Sequence, residues 1–504
     1  MQNPGLRALS GVVAALTTLG VAELLSAAVG ADSSPVQALG SAVVDHTPDG
    51  LREWVIQTFG TDDKAVLYAC MAVVALLVAV VAGFAERTTR PVGSTLFAGF
   101  ALVAAAAAVT RADASWAAAI PVLIGAAAGI VVLRLLTVRL EQPAAATVAA
   151  RREFFGLVSG IGAAALVVGL AGRWIGMNAR DVSGNRAGVV LPPPADPAPP
   201  LPADVDLRID GLASYITDNR DFYRIDTALR VPQVSTDDWS LRIHGMVDRE
   251  LTLTYADLTA RRSIERTVTL TCVSNPIGGD LVGNATWLGY SLAELLAEVG
   301  LHRDADMLLS RSIDNFSAGT PVDTVTDGRD ALLAIGMNGE PLPIEHGYPV
   351  RLVVPGLYGY VSATKWVTEL ELTRFDRAQA YWTQRGWSER GPIKTASRID
   401  TPRSSAQLGP GSVTVAGVAW AQHRGISAVE VQVDDGEWRP ARLSAAYSAD
   451  TWRQWVFDWT ATPGSHTVRA RATDGTGAVQ TAESADVLPD GATGLPAVFV
   501  RVSD

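Results

Sequence analysis

The sequence predicts a multidomain protein: an N-terminal α-helical membrane bundle, an α+β domain, and an all-β sandwich at the C-terminus. Three observations carry that expectation. Five long apolar runs crowd into the first 172 residues. A proline-dense run, "VVLPPPADPAPPLPADV" (189–205), follows them. From about Thr401, period-two alternation around Asp/Gly turns replaces every helix signal. The expected boundaries are 1–175 for the membrane part, 176–205 for a linker, 206–400 for the α+β domain and 401–504 for the sandwich.

The membrane part rests on totals and on position. The 504 residues are too many for one core. A mean hydropathy of +0.20 with 18% charged residues is too apolar for an ordinary soluble protein. The excess lies in runs at about 8–31, 65–84, 92–110, 114–133 and 154–172. The last four carry no charge and match the roughly 20 residues that a helix needs to cross hydrocarbon. The first contains Glu23, which reads either as a tolerated interfacial carboxylate or as a proton or quinone contact, with Arg134 as its companion.

Loop charge gives an orientation. Arg7 precedes the first run, and the next loop is acidic, with Asp45, Asp49, Glu53, Asp62 and Asp63. Arg87 and Arg90 mark the third connection, and Arg134, Arg139, Arg151 and Arg152 precede the fifth run. The positive-inside rule then puts the N-terminus in the cytoplasm and everything after Gly172 outside, in a multi-pass cell-membrane protein. The fifth run begins "ARREFF" (150–155), the form of a twin-arginine export signal, with no small-residue cleavage site before the next domain. That reading makes the translocation machinery for folded domains a partner and leaves the helix as an anchor. The plainer reading takes Arg151 and Arg152 as positive-inside charges. The proline run would then be an extended, semi-rigid spacer.

In the α+β region, "WSLRIHGMV" and "YPVRLVVPG" read as strands. "SLAELLAEVG" reads as a helix capped by Ser291, with Glu294 three residues on and Gly300 at its end. The irregular alternation argues against a doubly wound sheet. In the tail, "AVEVQVDDGEWRPARL" and "TVRARATDGTG" alternate at period two about their turns, as sandwich strands do.

Several chemistries are excluded. A net charge of −11 offers no basic field for nucleic acid. None of the six histidines lies in an apolar run, which argues against haem in the bundle. No HExxH, CxxC or glycine-rich phosphate loop is present. Of two cysteines, Cys70 sits in an apolar run, while Cys272 sits in "TVTLTCVSNPIGG", where a strand enters a polar loop. A thiolate there can be a nucleophile or a soft metal ligand; a small buried hydrophobe is the bland alternative.

Four stretches give the region from about 215 to 400 a resemblance to the sulfite oxidase family of molybdopterin-dependent oxidoreductases. They are "NRDFYRIDTALRVP", "LTCVSNPIGG", "MNGEPLPIEHGYPVRLVVPG" and "GYVSATKWVTELEL", in that order. The tail, with "GVAWAQHRGISAVEVQVDDGEWRPARL" and "WRQWVFDWT", resembles the family's immunoglobulin-like dimerisation domain. The resemblance implies a molybdenum–molybdopterin cofactor with Cys272 as metal ligand, and a homodimer through the tail. It implies cofactor contacts at Asn219, Tyr223, Arg224, His346, Arg351, Ser362, Thr364 and Lys365, with Asn275 in the Cys loop chiefly as a turn former. Sulfite-oxidising members place arginines just after that asparagine; Pro276 and Ile277 stand here, which speaks against sulfite. Asp314, Phe316 and Ser317, with Trp387 (Tyr381 nearby) where those members carry a tyrosine, would form the substrate side. Electrons then need a redox protein or a quinone as partner. A non-catalytic envelope binding or adhesion protein and a methionine-sulfoxide repair reductase are the alternatives.

Overall fold

The computed structural model describes residues 4–30, 33–59, 63–111, 115–142 and 147–503. Asp32, Asp62 and Ala114 of the expected loops and spans lie outside them. The chain divides into two compact units, Met1–Asp181 and Val182–Asp504.

Unit one is helical. α1 (Pro4–Val29) is followed by α2 (Pro35–His46) and α3 (Asp49–Phe59), then α4 (Asp63–Ala85), α5 (Val92–Val109), α6 (Ile120–Glu141) and α7 (Val148–Asn178). All but α2 and α3 are long and apolar enough to cross a membrane. The fourth span starts later than its apolar run, because Pro121 sits in the first turn of α6 after a 3-10 turn at Trp116–Ala119. It also ends later, carrying Arg134 and Arg139 inside the helix. α2 was hidden in the acidic loop; the Ser34 hydroxyl accepts from Gln37 N and Pro35 opens the helix. "ARREFF" lies within the first turns of α7, capped by Thr147.

α1 packs against α4, α6 and α7. Small residues allow this: a Cβ on Gly11 would strike the Ala79 carbonyl, and one on Gly20 the Ala165 carbonyl. Charges gather at helix ends and pair there. Arg7, at the start of α1, donates to the Glu86 carbonyl at 2.7 Å and to the Glu141 carboxylate at 2.8 Å. The buried Glu86 carboxylate accepts from Ser94 N and Ser94 Oγ, both at 2.8 Å, and from Arg134 at 3.1 Å. Glu23 accepts from Ser34 Oγ at 2.5 Å. Both groups considered for a quinone contact therefore already hold protein partners.

Unit two opens with α8 (Ser183–Gly188). Its first sheet has the order β2-β1-β10-β5-β6: β2 is Leu251–Thr254, β1 Ser240–Gly245, β10 Val367–Thr373, β5 Met307–Ser312 and β6 Ser317–Pro321. β1 and β10 run parallel, and the other pairs are antiparallel. The second sheet has the order β3-β4-β7-β8: β3 is Ser263–Thr271, β4 Val282–Ser291, β7 Leu332–Met337 and β8 Glu340–Pro341, with β9 (Arg351–Val353) also on β7. Short helices α9 (Tyr255–Thr259), α10 (Leu292–Val299), α11 (Val322–Thr326) and α12 (Gly359–Ser362) fill the connections. α10 is the helix expected from sequence: Ser291 Oγ accepts from Glu294 N, and Gly300, at φ +73°, ends it in the left-handed region. This is an α+β arrangement.

An all-β sandwich completes the unit. One sheet, β11-β13-β17-β16, comprises Ala396–Thr401, Gly411–Trp420, Arg453–Ala461 and Arg442–Leu443. The other, β12-β19-β18-β14-β15, comprises Gln407–Leu408, Ala497–Val502, Gly464–Asp474, Ile426–Val433 and Arg439–Pro440. Its core includes Val415, Val429, Trp455 and Val468. Trp420 and Trp452 leave that core and join the hydrophobic core of the α+β part.

The proline run is not a free spacer. Asp196 bridges Ile264 of β3 in parallel, Ala195 N donates to Ser263 O at 3.0 Å, and Arg266 grips the Asp196 carboxylate at 2.7 Å. Prolines cannot donate to a ladder, so such a run suits a sheet edge. Upstream, Val182 is buried and Asn185 accepts from Tyr348 Oη at 2.6 Å. The ordered body begins at Val182, ahead of the boundary expected at 206.

Candidate functional site

Cys272 stands one residue beyond β3, buried, with its amide donating to Leu281 O at 2.9 Å. The loop after it closes on Asn275: Asn275 N donates to Cys272 O, and Asn275 Oδ1 accepts from Leu281 N. Asn275 is thus the turn former expected. Tyr223 and Tyr358 lie near enough to Cys272 that a thiolate there would raise both phenols, after burial, the larger cause. Tyr358 is pushed up to about 12, so it stays a neutral O–H donor.

Tyr223, which feels Cys272, also feels Arg351, the first of a cluster of buried cations. Arg351, on β9, is only 5% exposed. It donates to the carbonyls of His346 at 3.0 Å and Ala363 at 3.5 Å, and its guanidinium lies over the Trp287 ring at 4.9 Å. No carboxylate pairs with it among the described residues. Burial brings it down to about 10. Lys365 bonds Asp226 at 2.7 Å and Glu345 O at 3.1 Å. Burial lowers it to about 8, with Asp226 opposing and Arg351 adding to the fall. Asp226 also holds Arg224 at 2.8 Å.

His346 is buried, and burial, then Arg351 and Lys365, draw it down to about 4. It is therefore neutral, with Nε2 donating to Asn219 O at 3.0 Å and Nδ1 left as an acceptor. The resemblance implies a cofactor contact at His346, as a donor; the geometry makes it instead an acceptor suited to a heterocycle N–H.

Other expected contacts are spent inside the fold. Ser362 Oγ donates back to Leu357 O and Tyr358 O, and Thr364 Oγ1 pairs with Ser310 Oγ; both residues are fully buried. The Asn219 side chain bonds Glu340 and Asn338, so only its carbonyl meets His346. Arg224 points to the surface, tied to Asp226.

The residues expected on the substrate side divide. Asp314 feels Asp226 and Lys365, so it belongs with the buried cations; burial raises its carboxyl. Phe316 packs on Tyr381 with ring centroids 5.9 Å apart, and Ser317 Oγ accepts from Tyr381 N. Trp387 is buried between Tyr360 and Trp382. None of these four lines the cleft that opens beside the Cys loop.

That cleft, of about 240 Å³, is lined by Asn275, Pro276, Ile277, Tyr358, Lys394 and Gln480 among others, so both the α+β part and the sandwich build it. Its lysine is neutralised: Lys394 Nζ donates to Asp490 at 2.8 Å and to Gly491 O at 2.7 Å. Nearby Arg398 and Arg424 pair with Asp400 and Asp474. Sequence reading missed Asp226, Tyr358 and Lys394. Asp226 stands inside a quoted motif and Tyr358 falls between two of them, but only their long-range partners mark them.

With this geometry in hand, the relatives are informative. Residues 228–382 match the oxidoreductase molybdopterin binding domain, and 396–470 match a bacterial Ig domain. The Gallus gallus sulfite oxidase is 29% identical over 273 residues, 45% of this chain and 59% of that protein. The mitochondrial sulfite oxidase of Homo sapiens is 28% identical over 289 residues, 48% of this chain and 52% of that protein. The "uncharacterized oxidoreductase YuiH" of Bacillus subtilis (strain 168) is 29% identical over 153 residues, 30% of this chain and 74% of its own. The chain thus spans between half and three-fifths of these two animal sulfite oxidases. The structure of the sulfane dehydrogenase SoxCD from Paracoccus pantotrophus has a TM-score of 0.51 at 24% identity, covering 57% of this chain and 82% of that one, a likeness of fold. The class is therefore a molybdopterin-binding oxidoreductase domain joined to an Ig-like sandwich. More narrowly, the chain carries the oxidoreductase domain of the sulfite oxidase family, whose cofactor is molybdenum–molybdopterin.

The residues present fit that cofactor. Arg351 is a buried guanidinium without a carboxylate, a costly arrangement that an entering phosphate relieves. His346 would offer an acceptor, and Cys272 a soft sulfur of the kind that suits molybdenum.

Proposed function

We propose that this protein is a membrane-anchored, extracytoplasmic molybdenum–molybdopterin oxidoreductase acting on a small neutral substrate rather than on sulfite. The observation that carries the reading is Cys272 at a strand end, sharing the neighbour Tyr223 with the buried Arg351, which pairs with no carboxylate among the described residues. When bound, the cofactor supplies two-electron oxygen-atom transfer. An oxygen atom passes between substrate and water, while two electrons and two protons pass to or from a partner. In this reading Cys272 holds the metal, and Arg351 and Lys365 hold the pterin phosphate. Neutral His346 accepts from the heterocycle, and Tyr223 and Tyr358 remain protonated donors beside the sulfur.

Substrate charge is argued from the cleft. Pro276 and Ile277 line it, and Asp490 neutralises Lys394, so an oxyanion would be desolvated without a cation to receive it. The same apolar lining favours a sulfoxide or thioether, which keeps the repair-reductase reading as a second one.

Export rests on the alternation of arginines along the sequence and on "ARREFF" in the first turns of the last long helix. The twin-arginine route suits a domain loaded with cofactor before it crosses. The electron partner is a redox protein or a quinone, and the sandwich is the surface for a homodimer.

The test uses the full chain in detergent, purified from a host that makes molybdopterin. About one molybdenum per chain, lost in Cys272→Ser, is expected. A well-folded protein with neither metal nor pterin would overturn the enzyme reading in favour of a binding or adhesion protein. Saturable sulfite oxidation would overturn the substrate class while leaving the cofactor in place. Single turnover with methionine sulfoxide separates the repair reductase.

A further inference from the structure

β3 is the edge strand of its sheet, and an edge strand presents backbone groups that need partners. The proline run takes the first half of this edge, at Ile264. The sandwich takes the second half, next to Cys272. Thr269 N donates to Asp450 O at 3.0 Å, and Thr269 Oγ1 accepts from Trp452 N at 2.7 Å. Gln422 Nε2 donates twice, to Thr269 O at 2.9 Å and to Thr271 Oγ1 at 3.0 Å.

Gln422 belongs to the turn between β13 and β14. Its side chain is fully buried, and its Oε1 has no hydrogen-bond partner among the described residues. Burying an amide with an unsatisfied oxygen is unfavourable, and an apolar side chain of the same size would fill the space without that cost. The same turn also touches the segment on the far side of Cys272. A Cβ at Gly356 (φ +86°) would meet His423 Cβ and approach the Gln422 carbonyl, and the Gly356 turn leads directly to Tyr358.

We propose that Gln422 is a positioning residue for the Cys272 sulfur: from the sandwich it fixes the Thr269 peptide and the Thr271 hydroxyl, and so sets the direction in which the next residue presents its thiolate. The consequence rests on the molybdenum reading above, but the geometric claim does not. On this account the β-sandwich is a working part of the metal site. Supporting groups that orient a metal ligand commonly govern metal retention and electronics as strongly as the ligand's own surroundings do.

The test compares two fully buried glutamines of the same sandwich in full-length protein carrying Cys70→Ser, so that Cys272 is the one thiol. Gln422→Met removes the clamp. Gln454→Met is the matched control; Gln454 bonds Leu207 N, Asp206 and Ala213 O, away from β3. In cofactor-free protein, alkylation of Cys272 by iodoacetamide should accelerate several-fold in Gln422→Met and stay at the parental rate in Gln454→Met, although both lower the thermal midpoint. In loaded protein, molybdenum retention should fall about 10-fold and the sulfur-to-molybdenum absorption band should shift in Gln422→Met alone. Equal behaviour of the two variants, or an unchanged rate in Gln422→Met, would overturn the proposal. Should Gln422→Met fail to fold, Thr271→Val removes only the acceptor hydroxyl; it should change the alkylation rate in the same direction to a smaller extent, and no change would overturn the proposal. Because alkylation needs no metal, a protein that proves not to bind molybdenum leaves this test intact.

Discussion

Two buried charges, one in each unit, are treated in opposite ways. Glu86 of the helical unit has no exposed surface, and its carboxylate receives two bonds from Ser94 and one from Arg134. Arg351 of the second unit is nearly as buried, yet among the described residues its hydrogen bonds go only to carbonyls, with its guanidinium over the face of Trp287. An unneutralised buried ion costs several kcal/mol, so such a group persists where something else completes it. Glu86 is a finished clamp between helix ends. In the proposed reading, Arg351 is half of an ion pair whose other half arrives with a ligand. The contrast separates a charge kept for architecture from one kept for binding.

Substituting each charge tests that contrast most directly. Arg351→Met should abolish cofactor retention, read as molybdenum and pterin per chain. In cofactor-free protein the same change should be neutral or stabilising, by up to about 3 kcal/mol, because it removes an unpaired ion. A clear loss of cofactor-free stability in urea unfolding would mean that Arg351 is held for the fold, and the contrast would collapse. Glu86→Gln should act the other way. It leaves Arg134 without its carboxylate and should destabilise the helical unit by about 1–3 kcal/mol, seen as a lower aggregation temperature in detergent. Molybdenum content should not change; a fall would tie the helical unit to cofactor loading.

Smaller effects follow from pH. His346 is held down to about 4 in the fold against 6.5 for the ordinary group. Between those values the unfolded chain binds a proton that the native state refuses, so stability is full above about 6.5 and falls as pH drops towards 4. His346→Gln should flatten that limb of a cofactor-free stability profile; an unaltered slope would show that the ring is not buried neutral. Lys365, lowered to about 8, should lose its charge in alkaline solution. Cofactor retention should then weaken above about pH 8, and Lys365→Met should remove that dependence.

The fold was legible where local chemistry decides it. Apolar length marked the five long helices, Ser291 and Gly300 marked both ends of α10, and alternation marked the sandwich. Cys272 stood out as a thiol where a strand enters a polar loop, while Arg351 was marked only by the family resemblance. What escaped notice depends on partners far along the chain. Asp226 is significant only because Lys365 reaches it, and Ser362 and Thr364 looked available until their own turn and Ser310 used them. Lys394 carries no signal of its own in the sequence, and Asp490, 96 positions away, is what neutralises it. Hydroxyls and single charges carry little signal by themselves, because either the fold or a ligand can satisfy them.

The docked proline run bears on how the chain can be divided. Residues 182–198 hold the edge of β3 through Asp196, brace Tyr348 through Asn185 and bury Val182. A fragment beginning after the prolines would bare the edge of a strand that ends at the cysteine, inviting strand-to-strand aggregation. The second compact unit starts at Val182, so a cut that leaves it whole falls ahead of the prolines rather than among them.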